Sequence, residues 1–187
     1  MSESLLLKIA RESIAEVFEA KNTINRQELL ETYPVLNEHI SSFVSIYLDN
    51  ELRGSFGSII PKRALLDDII YNAKAAAFED KRFSPLKTSE YLHSVLELSL
   101  LTPPSELNYD TLDDVKKSVK CGEDGMIITL DNKQAFLLPQ SWSQAKDFDS
   151  FFDILLKKAD LKSNDLDLHP KIFTFQVEQQ RDNPILN

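Results

Sequence analysis

Two short stretches of alternating residues, each turning back through the same tripeptide, constrain this chain more than anything else in it. From Ser42 to Leu48, Phe43, Ser45 and Tyr47 point one way and Val44, Ile46 and Leu48 the other. This is the period of a strand with one buried face. Asp49-Asn50 then supplies a two-residue turn tolerant of positive φ, and Glu51 to Ile60 returns as a second strand. Further along, Met126–Leu130 and Gln134–Leu138 form the same device around Asp131-Asn132. Two tight hairpins demand antiparallel sheet.

Helical periodicity surrounds them. Residues 3–20 place Leu6, Ile9, Ala10, Ile14, Val17 and Phe18 on one face. Asn25 caps a second, shorter helix, with Glu28 in capping-box spacing, and Pro34 ends it. Residues 64–78 carry Leu65, Leu66, Ile69, Ile70, Ala73, Ala76 and Ala77 on one side, a small-residue face suited to close approach on a sheet. A loop from Asp80 to Leu86 precedes a strand from about His93 to Leu101. Asp110 and Asp113 frame a short helix to Val119, Asp147 caps a helix bearing Phe151, Phe152, Leu155 and Leu156, and Lys171–Glu178 is the last strand. This mixed order predicts an α+β fold with largely antiparallel sheets and helices packed on them.

Composition narrows the function classes. At 187 residues, with 42% hydrophobic and 27% charged residues, the chain is long enough for a packed core. No apolar run reaches the roughly 20 residues of a membrane-spanning helix. The opening Met1-Ser2-Glu3-Ser4, with Leu5-Leu6-Leu7 broken by Lys8, does not read as a signal peptide. Cys121 is the single cysteine, which excludes an intramolecular disulfide and cysteine-rich metal sites and fits a cytoplasmic protein. A net charge of −9 opposes nucleic-acid binding that rests on neutralising phosphates. His39, His93 and His169 have no ligand spacing, so no metal and no cofactor are expected.

Leu52-Arg53-Gly54-Ser55-Phe56-Gly57 is the densest candidate site. Two glycines within four residues allow backbone conformations that aim successive N–H groups at one point. Arg53 offers a planar guanidinium fork to a carboxylate or phosphate, and Ser55 a hydroxyl. One reading is an anion-binding loop; the other is a glycine-bearing strand bend with Arg53 paired internally to Glu97 or Asp80. Arg82 is either a local partner of Asp80 or a second cation at the same site. Glu97, the one charge within an apolar strand, is either the buried partner of Arg53 or a general base.

The hexapeptide closely resembles the Leu-Arg-Gly-Cys-Ile-Gly hallmark of the AMMECR-domain family, and it follows a Phe-Val-containing strand and a turn ending in Glu-Leu, as in that family. Ala76-Ala77 with Asp80-Lys81-Arg82-Phe83-Ser84-Pro85-Leu86 resembles a second family block, and Leu96–Leu101 a third. Gly125–Ile128, Leu137–Gln140 and Lys158-Ala159 continue the series in order to about residue 161. Three positions depart: Ser55 stands for the usual cysteine, Asp160 for a glycine, and Ala145-Lys146 for a Gly-Trp pair. The resemblance implies two unequal α+β subdomains with a groove between them. On that basis a larger subdomain over 1–60 and 118–187 and a smaller one over 61–117 are expected.

The prokaryotic branch is often called AmmeMemoRadiSam system protein A, which implies Memo-like and radical-SAM proteins as partners. Two functions are therefore expected in competition. One is a binding protein or partner of those proteins. The other is a cleft enzyme acting on a small anionic substrate, with Arg53, Gly54, Ser55, Gly57 and Arg82 as ligand-binding candidates and Ser55 and Glu97 as catalytic ones.

Overall fold

A computed structural model of the chain describes residues 4–185. In chain order the elements are α1 (Leu5–Glu19), α2 (Arg26–Thr32), β1 (Ser41–Leu48), β2 (Glu51–Gly57), α3 (Leu65–Phe78), α4 (Thr88–His93), β3 (Val95–Leu101), β4 (Ser105–Glu106), α5 (Leu112–Ser118), β5 (Gly125–Leu130), β6 (Lys133–Leu137), α6 (Phe148–Lys158), β7 (Lys171–Phe175) and β8 (Val177–Arg181). Short 3₁₀ turns cover Pro34–Asn37, Pro139–Gln144 and Ser163–Leu168. The fold is α+β, and the pairs β1–β2, β1–β3, β4–β7, β5–β6 and β5–β7 are antiparallel.

Local chemistry explains most boundaries. Asp49 (φ 52°) and Asn50 (φ 65°) take the left-handed conformation of the first hairpin, and Asp131 (φ 50°) does so in the second. The Asn25 side chain accepts the Glu28 N–H, as its spacing predicts, and the Asp147 side chain accepts that of Ser150. The expected start of α1 at residue 3 lies outside the described residues. The short helix after residue 110 is framed by Thr111 and Asp114 in a reciprocal capping box, rather than by Asp110 and Asp113. The expected last strand breaks at Gln176 into β7 and β8, which join different sheets.

The chain forms two compact units, residues 1–101 with 178–187, and residues 102–177. This corrects the expected division at residues 60 and 117. The cause is long-range strand pairing: β3 pairs with β1 from Ser41↔Leu101 to Tyr47↔Val95, which draws α3, α4 and β3 into the unit of the first hairpin.

In the first unit the sheet runs β2-β1-β3-β8. Val44, Ile46, Leu96 and Leu98 are fully buried beneath Ile9, Ala10 and Ile14 of α1 and Ile69, Ala73 and Ala76 of α3. Helix α3 lies over β1 and β2, and α1 over β3. The opposite residues, Phe43, Ser45, Tyr47, Val95 and Glu97, are half-buried, so the sheet has one dry face and one polar face.

The second unit has the sheet order β4-β7-β5-β6. Its core gathers Val115, Met126, Ile128, Ile172 and the aromatic face of α6, with Phe151 stacked on Trp142 at 3.8 Å between ring centres. The Trp142 indole donates to the Asp124 carbonyl at 2.8 Å, which satisfies its one polar atom. Among the described residues no helix is long and apolar enough to cross a membrane.

Candidate functional site

The hexapeptide is β2 itself, an edge strand and not a loop. Neither of its glycines has a positive φ, which corrects the expectation that they free backbone N–H groups toward a ligand. Gly54 faces α3, where a Cβ would come within 2.2 Å of the Ala76 carbonyl oxygen. Gly57 lies beneath the Phe43 ring, where a Cβ would fall 2.4 Å from the nearest ring atom. Both glycines are required by close approach.

Arg53 owes its direction to a register shift. Ile46 pairs with Gly54 but Tyr47 pairs with Leu52, so Arg53 is the extra residue of a bulge. Its guanidinium turns to the outer edge of the sheet. There Nε donates to Glu90 Oε1 and Nη2 to Glu90 Oε2, each at 3.0 Å, while Nη1 donates to the Ser84 carbonyl at 3.0 Å. The pair is largely covered, with side chains 14% and 24% exposed. Glu90 therefore replaces Glu97 and Asp80 as the partner of Arg53. The same carboxylate accepts the Lys87 N–H at 2.8 Å. Bonding to Arg53 is the main reason that the Glu90 carboxyl is held below its ordinary range.

Asp80 builds the second half of this edge clamp. Its carboxylate accepts the Ser55 N–H at 2.9 Å, the Arg82 N–H at 3.1 Å, and the Arg82 side chain at 3.0 Å through Nε and 2.7 Å through Nη2. The bidentate contact with Arg82 holds the Asp80 carboxyl far below the usual range, and the two backbone donors deepen the effect. Asp80 also spends an outward N–H of the edge strand, which blunts that edge against pairing with another chain.

Ser55 and Glu97 do share a face, with Ser45 between them. The register sets Ser45 opposite Ser55 on one side and opposite Glu97 on the other. The Ser45 and Ser55 hydroxyl oxygens are 3.2 Å apart. Beyond Ser45, Tyr47 donates its hydroxyl to Glu97 at 3.4 Å, and the Gln179 amide reaches Glu97 and the Ser99 hydroxyl at 3.3 Å each. Burial, and then the charge of Glu97, push the Tyr47 phenol upward, so it remains a hydrogen-bond donor at neutral pH. The Arg181 guanidinium lies 4.9 Å from the centre of the Tyr47 ring.

The candidate residues thus separate into two places joined by Ser55. Arg53 and Arg82 belong to the edge clamp, each held by an internal carboxylate. Ser55 and Glu97 belong to a polar row on the half-buried face. Ser55 serves both, its N–H in the clamp and its hydroxyl in the row. Among the described residues no group of three or more His, Cys, Asp or Glu side chains could hold a metal ion. Sequence reasoning missed Ser45, Tyr47, Glu90 and Gln179. Ser45 and Tyr47 carried a signal in the strand alternation; Glu90 carried a weaker one, three positions after Lys87, at the depth of a capping-box carboxylate.

Comparison with known proteins shows what the chain as a whole is similar to. A protein from Aquifex aeolicus is 29% identical over 185 residues, covering 95% of this chain and 92% of its own. Protein NEQ441 of Nanoarchaeum equitans is 36% identical over 152 residues, covering 78% and 82%. The crystal structure of the uncharacterized protein PH0010 from Pyrococcus horikoshii superposes with a TM-score of 0.82 at 28% identity, over 97% of this chain and 92% of that one. The family model described as AMMECR1 matches residues 7–180, nearly the whole of what has just been described, and the chain belongs to the AMMECR1 family.

Proposed function

We propose that this protein is a binding partner rather than a catalyst, acting with Memo-like and radical-SAM proteins through the polar row on the sheet of its first unit. One observation carries the reading: both hexapeptide-region cations are neutralised internally. Arg53 is bound by Glu90 and Arg82 by Asp80. These ion pairs shape the strand, and the groups left facing outward are the Ser55 and Ser45 hydroxyls, Tyr47, Glu97 and Gln179. Such a row offers donors and acceptors of the kind a partner's polar surface takes up. A net charge of −9 opposes association with nucleic acid.

The test uses purified full-length protein and the Memo-like and radical-SAM proteins of the same genome in titration calorimetry. The expected result is saturable binding to one of them that Ser45→Arg abolishes while the melting temperature holds. Absence of heat with either protein, or binding indifferent to Ser45→Arg, overturns the reading.

The juxtaposition of Ser55, Ser45 and Glu97 favours one alternative, a small-molecule site on the same face. In it Glu97 takes a proton and Arg53 serves only to shape the strand. Turnover of a small anionic substrate, lost in Glu97→Gln with the fold intact, would select that alternative.

A further inference from the structure

Asp68 is a buried charge with one oxygen unspent. Its side chain is fully covered, in the first turn of α3. Oδ2 accepts the Ser42 N–H at 3.0 Å, the Ser42 hydroxyl at 2.7 Å and the Asn72 amide at 2.9 Å, which ties α3 to β1. Oδ1 is buried and accepts no hydrogen bond among the described residues. The cation drawn to it is Arg63, whose Nη1 stays 3.7 Å away, beyond hydrogen-bond reach. Tyr71 holds it there, with the Arg63 guanidinium 3.8 Å from the centre of its ring. Phe56 meets Tyr71 edge-on at 5.8 Å between ring centres, so this stack adjoins the end of the hexapeptide strand.

Arg63 is thus fixed by two contacts that consume none of its N–H groups. The ring takes the flat side of the guanidinium, and a carboxylate at this distance takes only its charge, so the five in-plane donors stay uncommitted. Among the described residues Arg63 donates no hydrogen bond. The other arginines are spent. Arg11, Arg53 and Arg82 donate to the carboxylates of Asp182, Glu90 and Asp80, Arg26 pairs with Asp67, and Arg181 donates to the Asn50 side-chain oxygen. The Arg63 side chain and Tyr71 are each 37% exposed, so the stack is a surface and not a pocket. Arginine and tyrosine held rigid are the side chains that anchor protein interfaces. Asp68 also selects the anion. Beneath the guanidinium it offsets part of the cation's charge, which disfavours a phosphate dianion more than a carboxylate monoanion. A carboxylate matches the fork as well.

We infer that Arg63, held by Asp68 and Tyr71, receives an Asp or Glu carboxylate presented by a partner protein. The carboxylate lies in the guanidinium plane and accepts two of its N–H groups, and no existing hydrogen bond has to break first. The inference rests on the reading of this protein as a binding partner, at a place that shares no residue with the Ser55 row.

Arginine side-chain NMR of the full-length, isotope-labelled protein tests it at constant ionic strength, following the Nε–Hε signals as Nα-acetyl-glutamate methylamide is added. Nα-acetyl-glutamine methylamide is the neutral control, and inorganic phosphate the competing anion. Expected is a saturable shift of the Arg63 signal with the glutamate probe and none with the glutamine one. The Arg53 and Arg82 signals should stay still, because their donors are already bonded. Read from the backbone amides of Leu65 and Tyr71, affinity should fall about tenfold in Arg63→Gln and about threefold in Tyr71→Leu, and hold in Tyr71→Phe. The wild-type titration decides the matter even where a variant is destabilised. It needs no partner protein, so its failure is distinct from a failure to bind the Memo-like or radical-SAM protein. A motionless Arg63 signal, equal shifts at Arg26 and Arg181, tighter binding of phosphate, or an Arg63 already hydrogen-bonded to Asp68 in the free protein overturns the inference.

Discussion

Gly54 sits against the carbonyl oxygen of Ala76 so closely that a Cβ would lie 2.2 Å from it. The obstacle is helix backbone, which cannot rotate aside as a side chain can. Gly54→Ala must therefore lift α3 from β2 and is expected to cost about 1–3 kcal/mol. In a chain of this size that corresponds to a fall of roughly 2–4 °C in melting temperature per kcal/mol. Gly122→Ala provides the contrast. It has a positive φ of 85° but open space around it, so its cost is backbone strain alone, on the order of 1 kcal/mol. A Gly54→Ala protein that melts with the wild type would show that this approach is not tight.

Asp80 and Arg82 should respond unequally to removal. Asp80 is 7% exposed and accepts two backbone N–H groups as well as the guanidinium, whereas the Arg82 side chain is 58% exposed. Arg82→Ala leaves the backbone bonds in place and loses a solvent-screened contact, so about 1 kcal/mol or less is expected. Asp80→Ala strands the Ser55 and Arg82 N–H groups and should cost about 2–3 kcal/mol. Denaturant titration of the two variants checks the order, and a larger loss from Arg82→Ala would contradict it.

The strongest sequence signals were those in which a residue's neighbours along the chain decide its structure. Asp49-Asn50 and Asp131-Asn132 turn the hairpins, Asn25 caps α2, and the apolar face of α3 is buried as its spacing implies. What stayed hidden depends on contacts distant in sequence. Glu90 lies on a six-residue helix, too short to show a period, and reaches Arg53 only after the chain has folded. Glycines that admit a nearby helix or ring read the same in sequence as glycines that take a positive φ, so the sequence left Gly54 and Gly57 open between a strand bend and an anion-binding loop. Lys171 to Arg181 holds no Gly or Pro to mark its change of sheet at Gln176. Ser55 and Glu97 stood out as candidates by type and motif, but the Ser45 that lies between them required the register.

Stability should fall on acidification, and the clamp is one cause. Asp80 and Glu90 have ordinary values of 3.8 and 4.5 and are both lowered in the folded chain, chiefly by bonds from Arg82 and Arg53 respectively. A carboxyl lowered by folding contributes fully above its unfolded value and loses that contribution as pH falls toward its folded one. Urea midpoints should therefore be flat above about pH 5 and decline below about pH 4. Asp80→Asn with Glu90→Gln should lower the plateau and make the decline shallower. It should not abolish it, because the capping carboxylates Asp114 and Asp147 are lowered too. An unchanged acid slope would remove the clamp from the explanation.

The bulge at Arg53 supports the sharpest mutational test. Its guanidinium meets Glu90 through two parallel bonds of 3.0 Å and the Ser84 carbonyl through a third, which only a planar fork can do at once. Arg53→Ala leaves a largely covered carboxylate without its cation. Full burial of an unpaired charge costs about 3–5 kcal/mol, and the partial exposure here reduces the expectation to about 2 kcal/mol. Arg53→Lys keeps the charge and loses the fork, so about 1 kcal/mol is expected. Glu90→Ala removes the Lys87 cap as well as the ion pair, so a double-mutant cycle with Arg53→Ala is needed to isolate the shared part, expected at about 1–2 kcal/mol. A cycle that closes near zero would mean that Arg53 and Glu90 act independently. The hexapeptide arginine would then be free for a ligand, and the binding reading built on its internal neutralisation would lose its main support.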